Sequence, residues 1–310
     1  MTVDSGLDAA ELALLTEAVR RTMTEHTGAA LTAALVDLGW PEILTEAPEL
    51  AGPVFFRILG DTGAHAPLLL DVIDRDGAVG LVLPFAGGRW VRWDRDGVGG
   101  PSLDSDLPLH AMPDGSALSD RDLADGRRLL GWWLLGTGHA MLALARTHAV
   151  ERTQFGRPLA SFQAVRHRLA ETLVALNGAE AALLVADDAG QDVPTAGHIG
   201  PGGVGSAAAS DTSNTTGAAT LGGPGPDPVA EDQVLAAMLA KAAAGQAALT
   251  AARHCQQVLG GIGFTAEHPL HRHVRRAVVL DGLLGSSREL TRAIGESIRL
   301  SGNAIRIANL

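Results

Sequence analysis

Two short segments of the 310-residue chain carry residue types that bind phosphates and nucleotides. In residues 149–163, Arg152 precedes a glycine–proline turn, and a Phe-Gln pair follows that turn and can open a helix. Arg152 can hold a phosphate in bidentate fashion, and Gln154 and Gln163 can hydrogen-bond a sugar or a base. A plain helix–turn–helix corner with a surface arginine has the same composition, so composition alone leaves both interpretations open.

The second segment, residues 256–264, places paired glycines directly after a predicted helix. Gly260 and Gly261 have no Cβ atom, which lets their backbone approach a pyrophosphate closely, and Gln257 is expected to face the same way. A glycine C-cap is the commoner use of such a pair, and it is the better interpretation of this segment taken alone.

Long helices must position both segments. Ser119 and Asp122 form a capping-box start for the helix that ends at the arginine corner. Asp227, with Pro228 at the first helical position, starts the helix that ends at the glycine pair. Helices are therefore expected over residues 119–151, 161–188, 227–260 and 286–308.

The rest of the chain is less regular in pattern. Apolar periodicity predicts helical stretches over residues 7–25, 29–38 and 50–59, then a few strands within 78–94 and an irregular segment over 97–115. Residues 189–226 contain no Lys, Arg or Glu and are rich in Gly, Ala, Ser, Thr and Pro, so they predict a flexible linker. The histidines His268, His271 and His273 with Glu267 are expected to form a polar loop rather than a metal site.

Composition restricts the class of protein. The net charge of −11 argues against a nucleic-acid partner, and the single cysteine, Cys255, excludes an internal disulfide framework. Residues 129–145 carry no formal charge, but their glycines, threonine and histidine favour a buried core helix over a membrane span. The N-terminus lacks the basic start of a signal peptide. A cytoplasmic protein without membrane, nucleic-acid or metal sites is expected.

Together, the two segments resemble the signatures of the acyl-CoA dehydrogenase family. Those signatures are similar to the residues from Arg152 to Gln163 and from Gln257 to Phe264 of this chain. The resemblance implies a mainly α fold, the cofactor FAD and α,β-dehydrogenation of an acyl-CoA thioester. It also implies that the ADP part of FAD, reached across a subunit interface, is held by Arg152, Gln154, Phe155, Gln163, Gln257, Gly260 and Gly261.

The chain departs from the family at the catalytic base. In most members a glutamate precedes a Gly-Thr-Ser-like turn, and here that position is Leu284. Other members carry the glutamate on the helix leading to the arginine signature, at a position that falls at or near Gly126. Neither leucine nor glycine can take a proton. Asp125 is adjacent to Gly126 but lies about 100° away around an α-helix.

The middle of the chain is also shorter than the resemblance implies. We expect an N-terminal helical region at residues 1–65, a reduced β region at 66–116 and a C-terminal four-helix bundle at 117–310 that contains the linker. The β region is about half the length of the family's β-domain and lacks its flavin-binding loop. Trp90 and Trp93 are therefore expected in the core of a small sheet.

Three functions are compatible with these residues. The leading hypothesis is a subunit of a heteromeric (α2β2) acyl-CoA dehydrogenase, similar to actinobacterial enzymes of steroid side-chain degradation. In it, a second acyl-CoA dehydrogenase-like chain supplies the base, and an electron-transfer acceptor reoxidises the flavin. The alternatives are a self-sufficient homo-oligomeric dehydrogenase with a displaced base, Asp125 or Asp281, and a non-catalytic scaffold of the same fold.

Overall fold

The computed structural model describes residues 8–74, 81–94, 104, 107–191 and 228–301, and these are mostly helical. Its α-helices are α1 (Ala9–Glu25), α2 (Gly28–Asp37), α3 (Trp40–Glu46), α4 (Arg57–Thr62), α5 (Leu68–Ile73), α6 (Asp120–Glu151), α7 (Gln163–Gln191), α8 (Pro228–Leu259), α9 (Leu270–Gly282) and α10 (Ser287–Ser301). Its strands are β1 (Val82–Phe85), β2 (Arg89–Trp93), β3 (Leu109–Met112), β4 (Thr153–Gln154) and β5 (Arg157–Pro158). The fold is mainly α, as predicted.

The N-terminal helices pack on one side of α6. Helix α1 begins with a capping box in which the Asp8 and Glu11 carboxylates each accept the other residue's amide hydrogen, both at 2.8 Å. The helix predicted over residues 50–59 is instead a 3-10 turn (Pro48–Leu50), a π-helical turn (Ala51–Phe56) and α4. Pro53 has no amide hydrogen to continue an α register, which explains the change of helix type.

The small sheet has the antiparallel order β1-β2-β3. Its strands pair with Leu83 opposite Val91 and Val91 opposite Ala111. An irregular segment was expected over residues 97–115, and that prediction was wrong for residues 109–112, which form strand β3. Leu109 is buried, and this burial stabilises the pairing of the short strand with β2. Trp93 is buried and lies 6.0 Å, between ring centroids, from a tryptophan of α6, as expected for a core residue of the sheet.

Helix α6 is the central element. The Ser119 hydroxyl accepts the Asp122 amide at 3.1 Å, which confirms the predicted start of the helix. The uncharged stretch from residue 129 to 145 is mostly buried, including Trp132, Trp133 and Met141, so it is the core helix that its composition predicted. Helices α7 and α8 pack along α6, and α10 packs on the N-terminal half of α8.

Helix α9 corrects one expectation, because His271 and His273, which were predicted in a polar loop with Glu267 and His268, lie in this helix. Between its histidines and arginines, α9 carries an apolar stripe that includes Leu270, Ala277 and Leu280, all of them buried. Arg276 is buried as well, and its Nε donates to the Asp104 carboxylate at 3.0 Å. In the described residues α9 lies between α8 and α10, two of the four helices that were predicted for the C-terminal bundle.

Two other predictions fall largely on residues outside the described ranges. Residues 189–191 of the predicted linker belong to α7, whereas residues 192–226 and the expected N-cap Asp227 are not described. The last helix is described as far as Ser301.

Candidate functional site

The arginine corner is a tight hairpin between α6 and α7. Arg152 ends α6, its amide donates to the His148 carbonyl at 2.8 Å, and its own carbonyl accepts the Leu159 amide at 2.9 Å. Between them β4 and β5 pair with Gln154 opposite Arg157. The two turn residues have positive φ, 52° at Phe155 and 77° at Gly156, which is the type I′ geometry of two-residue hairpins.

The hairpin presents its side chains to solvent. Phe155 is 91% exposed although its left-handed backbone is costly for a residue with a Cβ. The Arg157 guanidinium lies 4.2 Å from the ring centroid of Phe162, and the rings of Phe155 and Phe162 meet edge to face at 6.3 Å. Arg152 is exposed and has no carboxylate within 4.0 Å among the described residues. An exposed, strained aromatic side chain on the same hairpin corner as an exposed arginine is typical of a binding surface.

The glycine pair follows α8 in a 3-10 turn (Gly260–Phe264). Gly260 has a φ of +62°, so its glycine satisfies the left-handed position expected after a helix. Gly261 has an ordinary φ, and a Cβ atom added there would meet nothing within 4 Å. The protein's own packing therefore does not require Gly261, and its backbone is open to an approaching group.

The structure brings the two segments to the same corner of the molecule. The first turns of α7 and the last turns of α8 border one open cleft of about 680 Å³, and both Leu159 and Gln257 line it. His148, one turn before Arg152, lies close enough to His268 for their charges to interact, which ties the end of α6 to the chain after the glycine turn. Desolvation, then His268 and Arg152, lower the pKa of His148.

Three cleft residues with basic side chains were not identified from the sequence: Arg168, Arg253 and His254. Arg253 and His254 precede Gln257 by four and three positions, which places all three on one face of α8. Helical spacing counted back from Gln257 was the signal that could have found two of them.

The two positions at which the resemblance places a catalytic base, Leu284 and Gly126, are filled by packing. Leu284 is fully buried with a φ of +57°, and it packs where a Cβ atom on Gly126 would lie 2.6 Å from its Cδ1. The Leu284 amide donates to the Pro84 carbonyl at 2.8 Å, and Arg127 Nε donates to the Leu284 carbonyl at 3.0 Å. Thus α6, β1 and the turn after α9 are in contact with one another around Leu284.

Lys241 of α8 also binds the turn that contains Leu284. Its side chain is fully buried, and the Nζ donates to the Asp281 carbonyl at 2.5 Å and to the Gly285 carbonyl. Burial lowers the pKa of Lys241 to about 7. The lysine therefore anchors both ends of the segment that holds Leu284.

The two carboxylates considered as displaced bases have structural partners. Asp125 pairs with Arg128, with Oδ1 and Nη2 3.2 Å apart. Asp281 is buried, and its Oδ1 accepts the Ser287 amide at the start of α10 at 3.0 Å.

His273 of α9 and Cys255 of α8 are both buried. In the described part of the chain no group of three or more His, Cys, Asp or Glu residues is placed to hold a metal ion. His273 is buried, and desolvation lowers its pKa to about 4. Cys255 is buried in α8, and desolvation raises its thiol pKa to about 12, so it is unreactive at neutral pH.

Helix α7 carries a second apolar face on the outside of the bundle. Its inner face is buried at Leu176, Ala179 and Leu183. The outer face is exposed and carries small and apolar residues at helical spacing, with one asparagine among them: Ala170, Leu173, Val174, Asn177, Gly178 and Ala181. By length and apolar composition, residues 163–190 and residues 231–264 could each cross a membrane, and 28% and 56% of their apolar 18-residue windows are buried within the fold. Such a face on a bundle helix is typical of a contact with another helix.

Comparison with known proteins identifies the fold and the family signature. The sequence profile described as "Acyl-CoA dehydrogenase, C-terminal domain" matches residues 114–198 and 224–298, slightly more than half of the chain. The curated protein "Acyl-CoA dehydrogenase FadE34" of Mycobacterium tuberculosis is 33% identical over 159 residues. That match covers 51% of this chain but only 17% of FadE34, so the chain corresponds to a small part of this relative.

Solved structures match over nearly the whole chain. The ChsE4-ChsE5 complex of Mycobacterium tuberculosis has a TM-score of 0.63 at 16% identity, covering 98% of this chain and 99% of that one. A variant of the Tcur3481-Tcur3483 steroid ACAD has a TM-score of 0.60 at 19% identity, covering 96% and 99%. At these identities the likeness shows the fold.

Proposed function

Because the chain belongs to the acyl-CoA dehydrogenase family, we propose that it is one subunit of an FAD-dependent acyl-CoA dehydrogenase. In this proposal the chain contributes the ADP side of a shared FAD site. A second acyl-CoA dehydrogenase-like chain contributes the flavin-binding β-domain and the catalytic base. Members of the family bind FAD, which accepts hydride when it is bound.

One contrast within the structure carries the proposal. The residues suited to the ADP part of FAD are accessible, whereas both base positions are filled by Leu284 and by packing against Gly126. The free guanidinium of Arg152, the exposed ring of Phe155 and the open backbone at Gly261 fit a phosphate-bearing nucleotide. The proposed contacts are Arg152, Gln154, Phe155, Gln163, Gln257, Gly260 and Gly261.

A second chain is needed for the rest of the reaction. Removal of an α-proton requires a carboxylate, and the nearest ones, Asp125 and Asp281, already bind Arg128 and the Ser287 amide. The outer face of α7 gives such a partner an apolar surface on which to dock. The matched structures named ChsE4-ChsE5 and Tcur3481-Tcur3483 each pair two differently named chains, which supports an α2β2 arrangement.

A matched structure suggests the substrate class, and the composition suggests the compartment. A matched structure is named a steroid ACAD, and we propose a steroid side-chain CoA thioester as the substrate class. An electron-transfer acceptor would reoxidise the flavin. The single buried cysteine and the acidic composition fit a reducing cytoplasm.

Native mass spectrometry of the tagged chain purified from its own host tests this proposal. The expected result is a complex with a second dehydrogenase-like chain that carries one FAD per pair of unlike chains. A homo-oligomer carrying one FAD per chain and oxidising acyl-CoAs would contradict it. Loss of turnover in Asp125→Ala or Asp281→Ala of that homo-oligomer would then locate a displaced base.

A further inference from the structure

A second open cleft lies beside the first two turns of α9. It has a volume of about 420 Å³, and two arginines, two histidines and a glutamate form its polar lining. The lining residues are Ala266, Glu267, His268, Pro269, His271, Arg272 and Arg275. None of them is a proposed contact of the ADP part of FAD, so this α9 cleft has no role in the proposed function.

Arg272 is held in a fixed position by the end of α4. Its Nη2 donates to the Thr62 carbonyl at 3.0 Å. Its guanidinium also lies against Gly63, where an added Cβ atom would be 2.7 Å from Nη2 and 2.9 Å from Cζ. No carboxylate of the described residues lies within 4.0 Å of Arg272. A guanidinium has five N–H donors, so donors remain for a ligand after the bond to Thr62.

His268 contributes a hydrogen-bond donor to the same cleft. The Leu270 amide donates to His268 Nδ1 at 3.1 Å. Because a backbone N–H can only donate, Nδ1 has no proton, and the proton of the neutral ring is on Nε2. The His268 carbonyl accepts the His271 amide at 3.0 Å, which fixes the backbone at the start of α9. The ring that lines the cleft therefore has a donor at Nε2.

The charges around the α9 cleft favour an anion. Arg275 Nε lies 3.4 Å from Asp104 Oδ1, and Asp104 also binds the buried Arg276. Together with Arg272, three arginines are balanced by two carboxylates among the described residues here, those of Asp104 and Glu267. The cleft is therefore positive even when its histidines are neutral, on a chain whose net charge is −11.

We propose that the α9 cleft binds a phosphate group, with Arg272 and His268 as donors and Glu267 as the acceptor of a phosphate hydroxyl. A planar guanidinium presents paired N–H groups that match two phosphate oxygens. The volume of the cleft lies within the range of about 300–1,000 Å³ found for small-molecule pockets, which leaves room for an organic group beside the phosphate. The cleft lies near the end of α6, since His268 interacts electrostatically with His148, but it shares no residue with the proposed ADP contacts.

Isothermal titration of the full-length chain with inorganic phosphate, glycerol 3-phosphate and sulfate tests the ligand class. Tighter binding of glycerol 3-phosphate assigns the cleft to a phosphate ester, and tighter binding of inorganic phosphate assigns it to the free anion. Sulfate should bind more weakly than inorganic phosphate, because it has no proton to donate to Glu267. Failure of both phosphates to bind, or binding of sulfate as tight as that of phosphate, would overturn the inference.

Variants of Arg272 locate the bound phosphate. Arg272→Gln should weaken phosphate binding about 10-fold or more, the usual scale for a charged hydrogen bond, and Arg272→Lys should recover only part of the affinity because it lacks the planar fork. The matched control is Arg292→Gln, an exposed arginine of α10, which should bind phosphate as the natural chain does. Unchanged phosphate affinity in Arg272→Gln would overturn the inference. Loss of binding in Arg152→Ala but not in Arg272→Gln would also overturn it, since the phosphate would then occupy the arginine corner.

His268→Asn and Glu267→Gln test the two other groups. His268→Asn keeps an acceptor for the Leu270 amide, so α9 should remain folded, while loss of the Nε2 donor should weaken phosphate binding about 3-fold or more. Glu267→Gln should remove the preference for phosphate over sulfate, because a side-chain amide can donate to either anion. Thermal melts show whether each variant stays folded. Unchanged phosphate affinity in folded His268→Asn, or an unchanged anion preference in folded Glu267→Gln, would overturn the inference.

Discussion

Gly126→Ala probes most sharply whether the base position on α6 is filled by packing. The added Cβ would lie 2.6 Å from Leu284 Cδ1 and 2.8 Å from Ile73 Cδ1, well inside contact distance. Overpacking of this kind costs about 1–3 kcal/mol. Replacing glycine by alanine within a helix stabilises it by about 1 kcal/mol, so we expect a net destabilisation of up to about 2 kcal/mol.

The matched control is Gly178→Ala on the outer face of α7. A Cβ at Gly178 meets nothing within 4 Å, so this variant should gain about 0.5–1 kcal/mol from helix propensity alone. Urea denaturation followed by circular dichroism gives both free energies of unfolding. If the two glycine variants were equally stabilised, the space beside Leu284 would be open and our interpretation of this position would be wrong.

A double-mutant cycle assigns the effect to its cause. Leu284→Ala alone should destabilise the chain by about 2–5 kcal/mol because it leaves a cavity. Adding Gly126→Ala to it should cost less than Gly126→Ala costs in the natural chain, since the clashing Cδ1 is gone. Additive free energies would show that the clash is not with Leu284.

Three further variants test separate features. Phe155→Asn should stabilise the isolated chain by about 0.5–1 kcal/mol in thermal melts, because asparagine suits the type I′ turn, while it weakens binding to the partner complex. The pKa of folded Lys241 is about 7, so between pH 7 and pH 9 the folded chain releases a proton that the unfolded chain keeps. The free energy of unfolding should therefore rise by about 2 kcal/mol over this range in urea titrations. Lys241→Met should abolish this rise. Burial raises the pKa of Asp187 to about 6, so the free energy of unfolding should fall by up to about 3 kcal/mol from pH 4 to pH 7. This fall should be absent in Asp187→Asn, whose side-chain oxygen can still accept the Trp132 indole hydrogen bond.

The sequence predicted the long helices well because their signals are local. The cap at Ser119 lies in the residues themselves, and α6 follows it as predicted. Helix α9 was missed because its apolar stripe lies among basic residues whose burial depends on a distant partner, Asp104. Strand β3 was missed for a similar reason, since it exists only by pairing with β2.

The residues of the candidate site likewise include some with a local signal in the sequence and some that only tertiary packing brings together. The motif residues around Arg152 and Gln257 could be recognised because they are contiguous in the chain. The contact between Arg168 and His254 could not be predicted, because the two residues are 86 positions apart in the chain and meet only in the packed bundle. The sequence showed that Leu284 is not a base, but only the structure shows that packing fills its surroundings.

We propose that this chain holds the ADP side of an FAD shared with another chain. The most direct measurement is the flavin absorbance per complex, for the complex purified with Arg152→Ala and with Arg292→Gln, an exposed arginine of α10, as its control. We expect the Arg152→Ala complex to stay assembled but to lose most of its FAD on dilution, whereas the Arg292→Gln complex keeps one FAD per pair of unlike chains. Full retention of FAD in assembled Arg152→Ala would contradict it.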